Sequence, residues 1–299
     1  ISSALTTIAG LTSAGAAGTV TSIAGANILV EANSLFIGDD VSGTTDTAAN
    51  SVAVGIDALD AVTTGDANVA IGKSALSGNT TGGNNIAIGN QALNAPDTES
   101  SNIAIGSNAL NGSVAGGEYN VAIGVTAGNA LTSADYVVAI GNAAGSAITT
   151  GGKHVLIGHN AGSGLTTSAG SCVYIGTGAG SGSNNDAETN NIGIGAAGNT
   201  INGAEYNTAV GALNLDALTT GDSNTAVGYA CGSSNTSGGA NSYFGEGSGS
   251  SVTTGSNNTL IGQNAANAGT SLTTGSNNIM LGNEAKVSAA DGGYQFVIG

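Results

Sequence analysis

Two histidines, His154 and His159, are the only imidazoles in this 299-residue chain, and they flank one glycine, Gly158. A zinc site draws three or four ligands from Cys, His, Asp and Glu at characteristic spacings. A separation of five with no such residue nearby does not supply them, so both histidines read as turn residues. Serine is abundant, but no G-x-S-x-G lies between a strand and a helix, which a serine nucleophile elbow needs. Asp57, Asp60, Asp66 and Asp222 fall in separate stretches, and Asp39 and Asp40, if extended, would point to opposite faces. Paired carboxylates for glycoside cleavage are therefore not evident, and the expectation is a protein that is not an enzyme. An acidic chain with many turn carbonyls could hold structural calcium, yet neither an EF-hand loop nor a G-G-x-G-x-D nonapeptide is present; no cofactor is expected, and solvated acidic turns are the plainer reading. Tyr119, Tyr136 and Tyr206 recur at one position of a repeat and are candidate glycan-facing rings, the alternative being rings that stack on one another to stiffen the chain.

What positions these residues is a repeat. A short apolar run closed by glycine recurs as SVAVG (51–55), NVAIG (68–72), NIAIG (85–89 and 102–106), NVAIG (120–124), NTAVG (224–228) and NTLIG (258–262). The anchor glycines include Gly55, Gly72, Gly89, Gly106, Gly124, Gly228 and Gly262, most of them 17 residues apart. That period is too short for a helical pair or a propeller blade and suits one coil of a β-solenoid. The expected fold is all-β: a parallel β-solenoid of about sixteen coils of about 17 residues over residues 34–299, about 75–80 Å long at the spacing of neighbouring strands. Residues 1–33, rich in Ala, Thr and Gly, read as a leader or degenerate coils without the basic start of a secretory signal.

Within the repeat the residue before the anchor is always large and apolar, from Ile37 and Val54 to Ile298, and it is assigned to the interior. The residue two earlier, usually Val or Ile, shares that face by the period of two. It turns to Thr208, Thr225, Ser242 and Thr259 in later repeats, which predicts a less apolar core there. The residue between them, Ala53 to Ala139 and later Leu156, Tyr174, Tyr243, Leu260 and Met280, is assigned outward, as the face where another chain docks. Four residues before the anchor, Asn68, Asn85, Asn102, Asn120, Asn224 and Asn258 predict a stacked asparagine ladder that also satisfies turn backbone. The recurring Thr-Thr-Gly, with Gly65, Gly82, Gly151, Gly221, Gly255 and Gly275, predicts a turn at positive φ. Steps longer than 17 read as loop insertions. Cys172 and Cys231 sit in different columns about three coils apart, roughly 14 Å, too far for a disulfide within the chain.

Composition excludes several functions. A net charge of −16 with three lysines and no arginine disfavours nucleic acid, whose binding draws on a basic surface, and no apolar run is long enough for a membrane span. Only 7% of residues are charged while 40% are hydrophobic, which argues against disorder.

The stretches TTGDANVAIGKSAL (63–76), TTGGNNIAIGNQAL (80–93) and TTGDSNTAVGYACG (219–232) resemble the head repeats of YadA-type trimeric autotransporter adhesins and the similar arrays of bacteriophage tail fibres. The resemblance spans residues 34–299 and implies a left-handed β-roll in which three chains pack side by side. It implies an extracellular place, on a virion tail fibre or a cell surface, and a host-surface glycan or receptor as partner besides the chain itself. No heptads for a stalk and no membrane anchor are found, and both ends read as uncapped. A filament subunit joined head to tail through such ends is the second reading, and a fibre-borne glycan-cleaving enzyme the third.

Overall fold

The computed structural model describes residues 18–23, 26–31, 34–38, 48–95, 98–112, 116–167, 170–182, 190–195 and 204–299. Asp39 and Asp40, most of the leader and most of the expected loop insertions lie outside these. The described chain is all-β, a solenoid of about fourteen turns, and it divides into two compact units, residues 1–135 and 136–299.

The first unit opens with β1 (Gly18–Ile23) and β2 (Ala26–Glu31), an antiparallel pair, and β2 is in turn antiparallel to β3 (Ser34–Gly38). Strands β1 and β2 thus differ from the later coils in being antiparallel. They cover the outer edge of the first parallel strand, where the sequence reading expects an open one; exposed edges invite unwanted pairing. From β3 onward the chain coils through β4 (Val52–Gly55), β5 (Val69–Ile71), β6 (Ile86–Ile88), β7 (Ile103–Ile105) and β8 (Val121–Ile123), each parallel to its predecessor. The register pairs equivalents, Val69 with Ile86, Ala70 with Ala87 and Ile71 with Ile88, so repeat and coil coincide.

In the second unit β9 (Val138–Ile140), β10 (Val155–Ile157), β11 (Val173–Ile175), β12 (Ile192–Ile194), β13 (Thr208–Val210), β14 (Thr225–Val227), β15 (Ser242–Phe244), β16 (Thr259–Ile261), β17 (Ile279–Leu281) and β18 (Phe296–Ile298) continue the same parallel pattern.

Strand polarity is opposite to the sequence reading. The central residue of each strand points into the coil: Ala70, Ala87, Leu156, Tyr174, Tyr243, Leu260 and Met280 are all fully buried. The flanking Val and Ile residues face out, with Ile71, Ile194 and Ile261 each about two-fifths exposed. Alternation fixes which residues share a face but not which face is inside. The geometry decides it: a three-residue strand offers one inward place and two outward ones, and a 17-residue coil is too narrow for two aliphatic side chains from one strand. The inward place is shared with the turn after the anchor, where Ala58, Leu59, Ala75, Leu76, Ala92 and Leu93 are buried, and with the opposite wall, where Val62, Leu131, Ile148 and Leu165 are buried.

Volumes across the coil compensate. Where the strand centre is Ala53, Ala70, Ala87, Ala104 or Ala209, the fourth residue after the anchor is Leu59, Leu76, Leu93, Leu110 or Leu215. After Ala122, Ala139 and Ala226 it is instead Gly128, Gly145 or Gly232, with a large side chain from elsewhere in the space: a Cβ on Gly128 would stand 2.8 Å from a Leu131 methyl and one on Gly145 2.8 Å from a Leu156 methyl. Beside Leu156, Tyr174 and Tyr243 that position is glycine: a Cβ on Gly162 would stand 2.6 Å from a Leu156 methyl, and one on Gly180 or Gly232 would stand 2.5 Å from the Tyr174 or Tyr243 ring. Native interiors fill space to this tolerance.

The corners use left-handed backbone at residues five before, two after and four after the anchor, for example Ala67 (φ 58), Ser74 (φ 53) and Leu76 (φ 54). Such angles at non-glycine residues cost about 1 kcal/mol or more each and persist where surrounding contacts impose them. The anchor glycines answer two demands at once. Gly72 has φ +130, and a Cβ there would lie 2.5 Å from the carbonyl oxygen of Gly89 in the next coil. In the Thr-Thr-Gly turn the expected positive φ holds at Gly151 alone (φ +93). At Gly65, Gly221 and Gly255 the absent side chain makes room instead for the carbonyl of the equivalent glycine one coil on.

Candidate functional site

Buried polar groups in a core this thin need partners, and the asparagine column supplies them. Asn68, Asn85, Asn102, Asn120, Asn191, Asn207, Asn224, Asn241, Asn258 and Asn278 are all buried. Each side chain is bonded chiefly to backbone of the next coil rather than amide to amide. The Asn85 N–H donates to Asn68 Oδ1 (3.0 Å) and the Asn102 N–H to Asn85 Oδ1 (2.9 Å), while Asn68 Nδ2 donates to the Gly82 carbonyl (2.9 Å). In the second unit amide-to-amide bonds are added, Asn224 Nδ2 to Asn207 Oδ1 (3.1 Å) and Asn241 Nδ2 to Asn224 Oδ1 (3.0 Å). At the head of the column Ser34 and Ser51 do half this work, the Ser51 N–H donating to Ser34 Oγ (2.8 Å) and the Asn68 N–H to Ser51 Oγ (3.1 Å).

His154 occupies the same column. Its Nδ1 accepts the Cys172 N–H (3.2 Å), which requires a neutral ring carrying its proton on Nε2, and that buried Nε2–H meets no acceptor among the described residues. Burial pushes the imidazole pKa down to about 4. His154 thus substitutes for asparagine as acceptor and leaves the donor half unused. His159, one residue past Gly158, belongs to another column.

The cysteines are free and buried. Cys172 stands in the asparagine column. Cys231 donates its thiol to the Gly245 carbonyl (2.7 Å), and burial raises its pKa to about 11, which keeps it a protonated, poorly nucleophilic thiol.

The carboxylates serve the turns. Asp66 Oδ1 accepts the Ala49 N–H (2.7 Å), Asp135 Oδ1 the Glu118 N–H (2.8 Å) and Asp222 Oδ1 the Glu205 N–H (2.8 Å), each capping the preceding coil at the equivalent position. Buried Glu99 accepts the Thr98 N–H (3.0 Å) and the Gly116 N–H (2.7 Å). Among the described residues no three of His, Cys, Asp and Glu gather as metal ligands, and no helix is long and apolar enough to cross a membrane.

Two outward features remain. Tyr119, Tyr136 and Tyr206 are each half exposed or more, at the left-handed position five before the anchor (φ 57–59). The other feature is the outer strand face of each unit, two columns of mainly Val and Ile, with hydroxyls in one column over four coils of the second unit. Not one of its positions from β3 to β18 carries a charge. Sequence reasoning missed this face because it placed the large residues inside. The readable signal was the Ala-with-Leu and Tyr-with-Gly exchange, which ties the strand centre to the turn and hence to the interior. Comparison with family models, with curated proteins and with solved structures finds no match.

Proposed function

We propose that this chain is a structural and adhesive segment of an extracellular fibre, on a virion tail fibre or a cell surface, that works as a homotrimer without catalysis or cofactor. The observation that carries the reading is the uncharged outer strand face. In a chain of net charge −16 a broad aliphatic strip free of any acid lets copies meet without mutual repulsion. Contiguous exposed apolar surface of this kind marks association. The resemblance of the TTG-x-x-N repeats to adhesin heads and tail-fibre arrays favours a fibre over other uses of a solenoid. With the strand faces turned toward one another, the corners and the half-exposed Tyr119, Tyr136 and Tyr206 remain outside, where rings can stack on the sugars of a host-surface glycan.

Sedimentation equilibrium tests the reading. Discrete trimers are expected, and the double variant Ile157→Asp, Ile175→Asp should sediment as monomers with an unchanged β-sheet spectrum. A monomeric parent chain overturns the proposal, and long heterogeneous polymers replace it with head-to-tail filament growth.

A further inference from the structure

Identical coils packed side by side carry an ambiguity: sliding one chain along another by a single coil, about 4.8 Å, still sets strand against strand. Something must fix the offset. Within residues 136–299 the outer column directly before each anchor is apolar throughout, but the column two residues earlier changes character. It is Val or Ile through Ile192, then hydroxyl-bearing for four successive coils at Thr208, Thr225, Ser242 and Thr259, then aliphatic again at Ile279. These four residues lie half-buried on the outer face, between flanks where Ile192 and Ile279 are about two-fifths exposed.

Their hydroxyls form no hydrogen bond within the described chain. Turn threonines do otherwise: Thr219 Oγ1 donates to the Thr236 carbonyl (2.7 Å) and Thr236 Oγ1 to the Thr253 carbonyl (3.1 Å). The fold of one chain thus leaves the block's hydroxyls unused, while every other coil of the unit places an apolar residue there.

We propose that this four-coil hydroxyl block is a register key between copies of the chain, an inference that rests on the self-association proposed above. At zero offset each hydroxyl faces its own copy, and Thr–Thr and Thr–Ser pairs hydrogen-bond across a contact. A slip of one coil buries Thr208 against Ile192 and Thr259 against Ile279, which leaves hydroxyls without partners at both ends of the block. Larger slips multiply the mismatches up to the block's length. The block occurs once in the unit, so one offset alone matches throughout, in the way that a single polar position fixes the register of packed helices.

The test uses the full-length chain, co-expressed as two populations with tags of different length, one carrying Val138→Cys and the other Val155→Cys, positions one coil apart on the outer face. The native thiols are buried and do not react under mild oxidation. With the native block, cross-links should join like to like, and mixed-length products should stay below about a tenth of the total. Replacing the block by Thr208→Val, Thr225→Val, Ser242→Val and Thr259→Val in both populations should raise mixed products to a comparable share. Moving the block one coil earlier in the Val138→Cys population alone, by Ile192→Thr with Thr259→Ile, should raise mixed products to a share comparable with like-to-like ones, because each population still matches itself at zero offset and now matches the other at an offset of one coil. Trimers that cross-link like to like in all three cases overturn the register key and leave association standing. Monomers by sedimentation, with no cross-link in any population, overturn the association on which it rests.

Discussion

Replacing Asn241 by alanine should open the solenoid locally, at a cost set by two backbone groups. Asn241 Oδ1 accepts the Asn258 N–H (2.9 Å), and Asn241 Nδ2 donates to the Gly255 carbonyl (2.9 Å) and to Asn224 Oδ1 (3.0 Å). Asn224 Oδ1 keeps the Asn241 backbone N–H (3.0 Å) in the variant, so the groups orphaned are the Asn258 N–H and the Gly255 carbonyl. Each buried group left unmade costs about 1–3 kcal/mol, for a total of about 2–6 kcal/mol. Asn241→Ser should fall between, because a serine oxygen accepts the next coil's N–H at the head of this column but cannot reach the turn carbonyl. Coils that contact only their neighbours open locally, so the assay is hydrogen exchange at the Ser242 and Thr259 amides, which donate to the Asn258 and Asn278 carbonyls. At 1.4 kcal/mol per decade the alanine variant should exchange there about 30- to 20,000-fold faster. An alanine variant within about fivefold of the parent, or serine and alanine variants that coincide, refutes the assignment of the column as backbone partner.

Three further outcomes follow from the core and the column. Tyr243 is fully buried with an unpartnered hydroxyl, and burial raises its pKa; Tyr243→Phe should stabilise the chain by about 1 kcal/mol or more in urea unfolding, and a destabilised variant would point to a hidden partner. Gly89→Ala confronts both φ +136 and a carbonyl 2.6 Å from the new Cβ, so a loss of more than about 3 kcal/mol is expected, and an unchanged urea midpoint would contradict the close approach. His154 has a folded pKa of about 4 against about 6.5 unfolded. The unfolded chain takes up the proton first, so stability is full above pH 6.5 and falls by about 3 kcal/mol as pH drops to 4. His154→Asn should remove that part of the acid dependence, and identical pH profiles of parent and variant would contradict a neutral buried ring.

The coil length, the strands and the buried asparagine column were legible because each depends on spacing or on one residue type recurring in register. The phase of the strand was not. Val-Ala-Ile satisfies alternation whichever side is inward, and ranking residues by size put Ile71 inside and Ala70 outside, whereas the narrow coil takes the alanine and fills the remainder with Leu76 from the turn. The left-handed corners escaped for a related reason. Ala67 and Leu76 are not residues that announce positive φ, yet both adopt it. The glycines of the Thr-Thr-Gly turn announced it and, apart from Gly151, do not use it.

The matching of strand centres to turns limits how such a chain can be rearranged. Tyr243 lies between two turns, with Gly232 on the coil before and Gly249 on its own coil, each having no room for a Cβ beside the ring. The transferable piece in this region is therefore two coils long, not one. Duplicating an alanine-centred coil with its own leucine should lengthen the stack without disturbing the interior. Copying the tyrosine coil alone into the run between Gly55 and Gly106 would set its ring against Leu59, Leu76 or Leu93. Growth of the chain by repeat exchange is thus free within the alanine-centred run and restricted at its boundaries, where side-chain size passes from turn to strand.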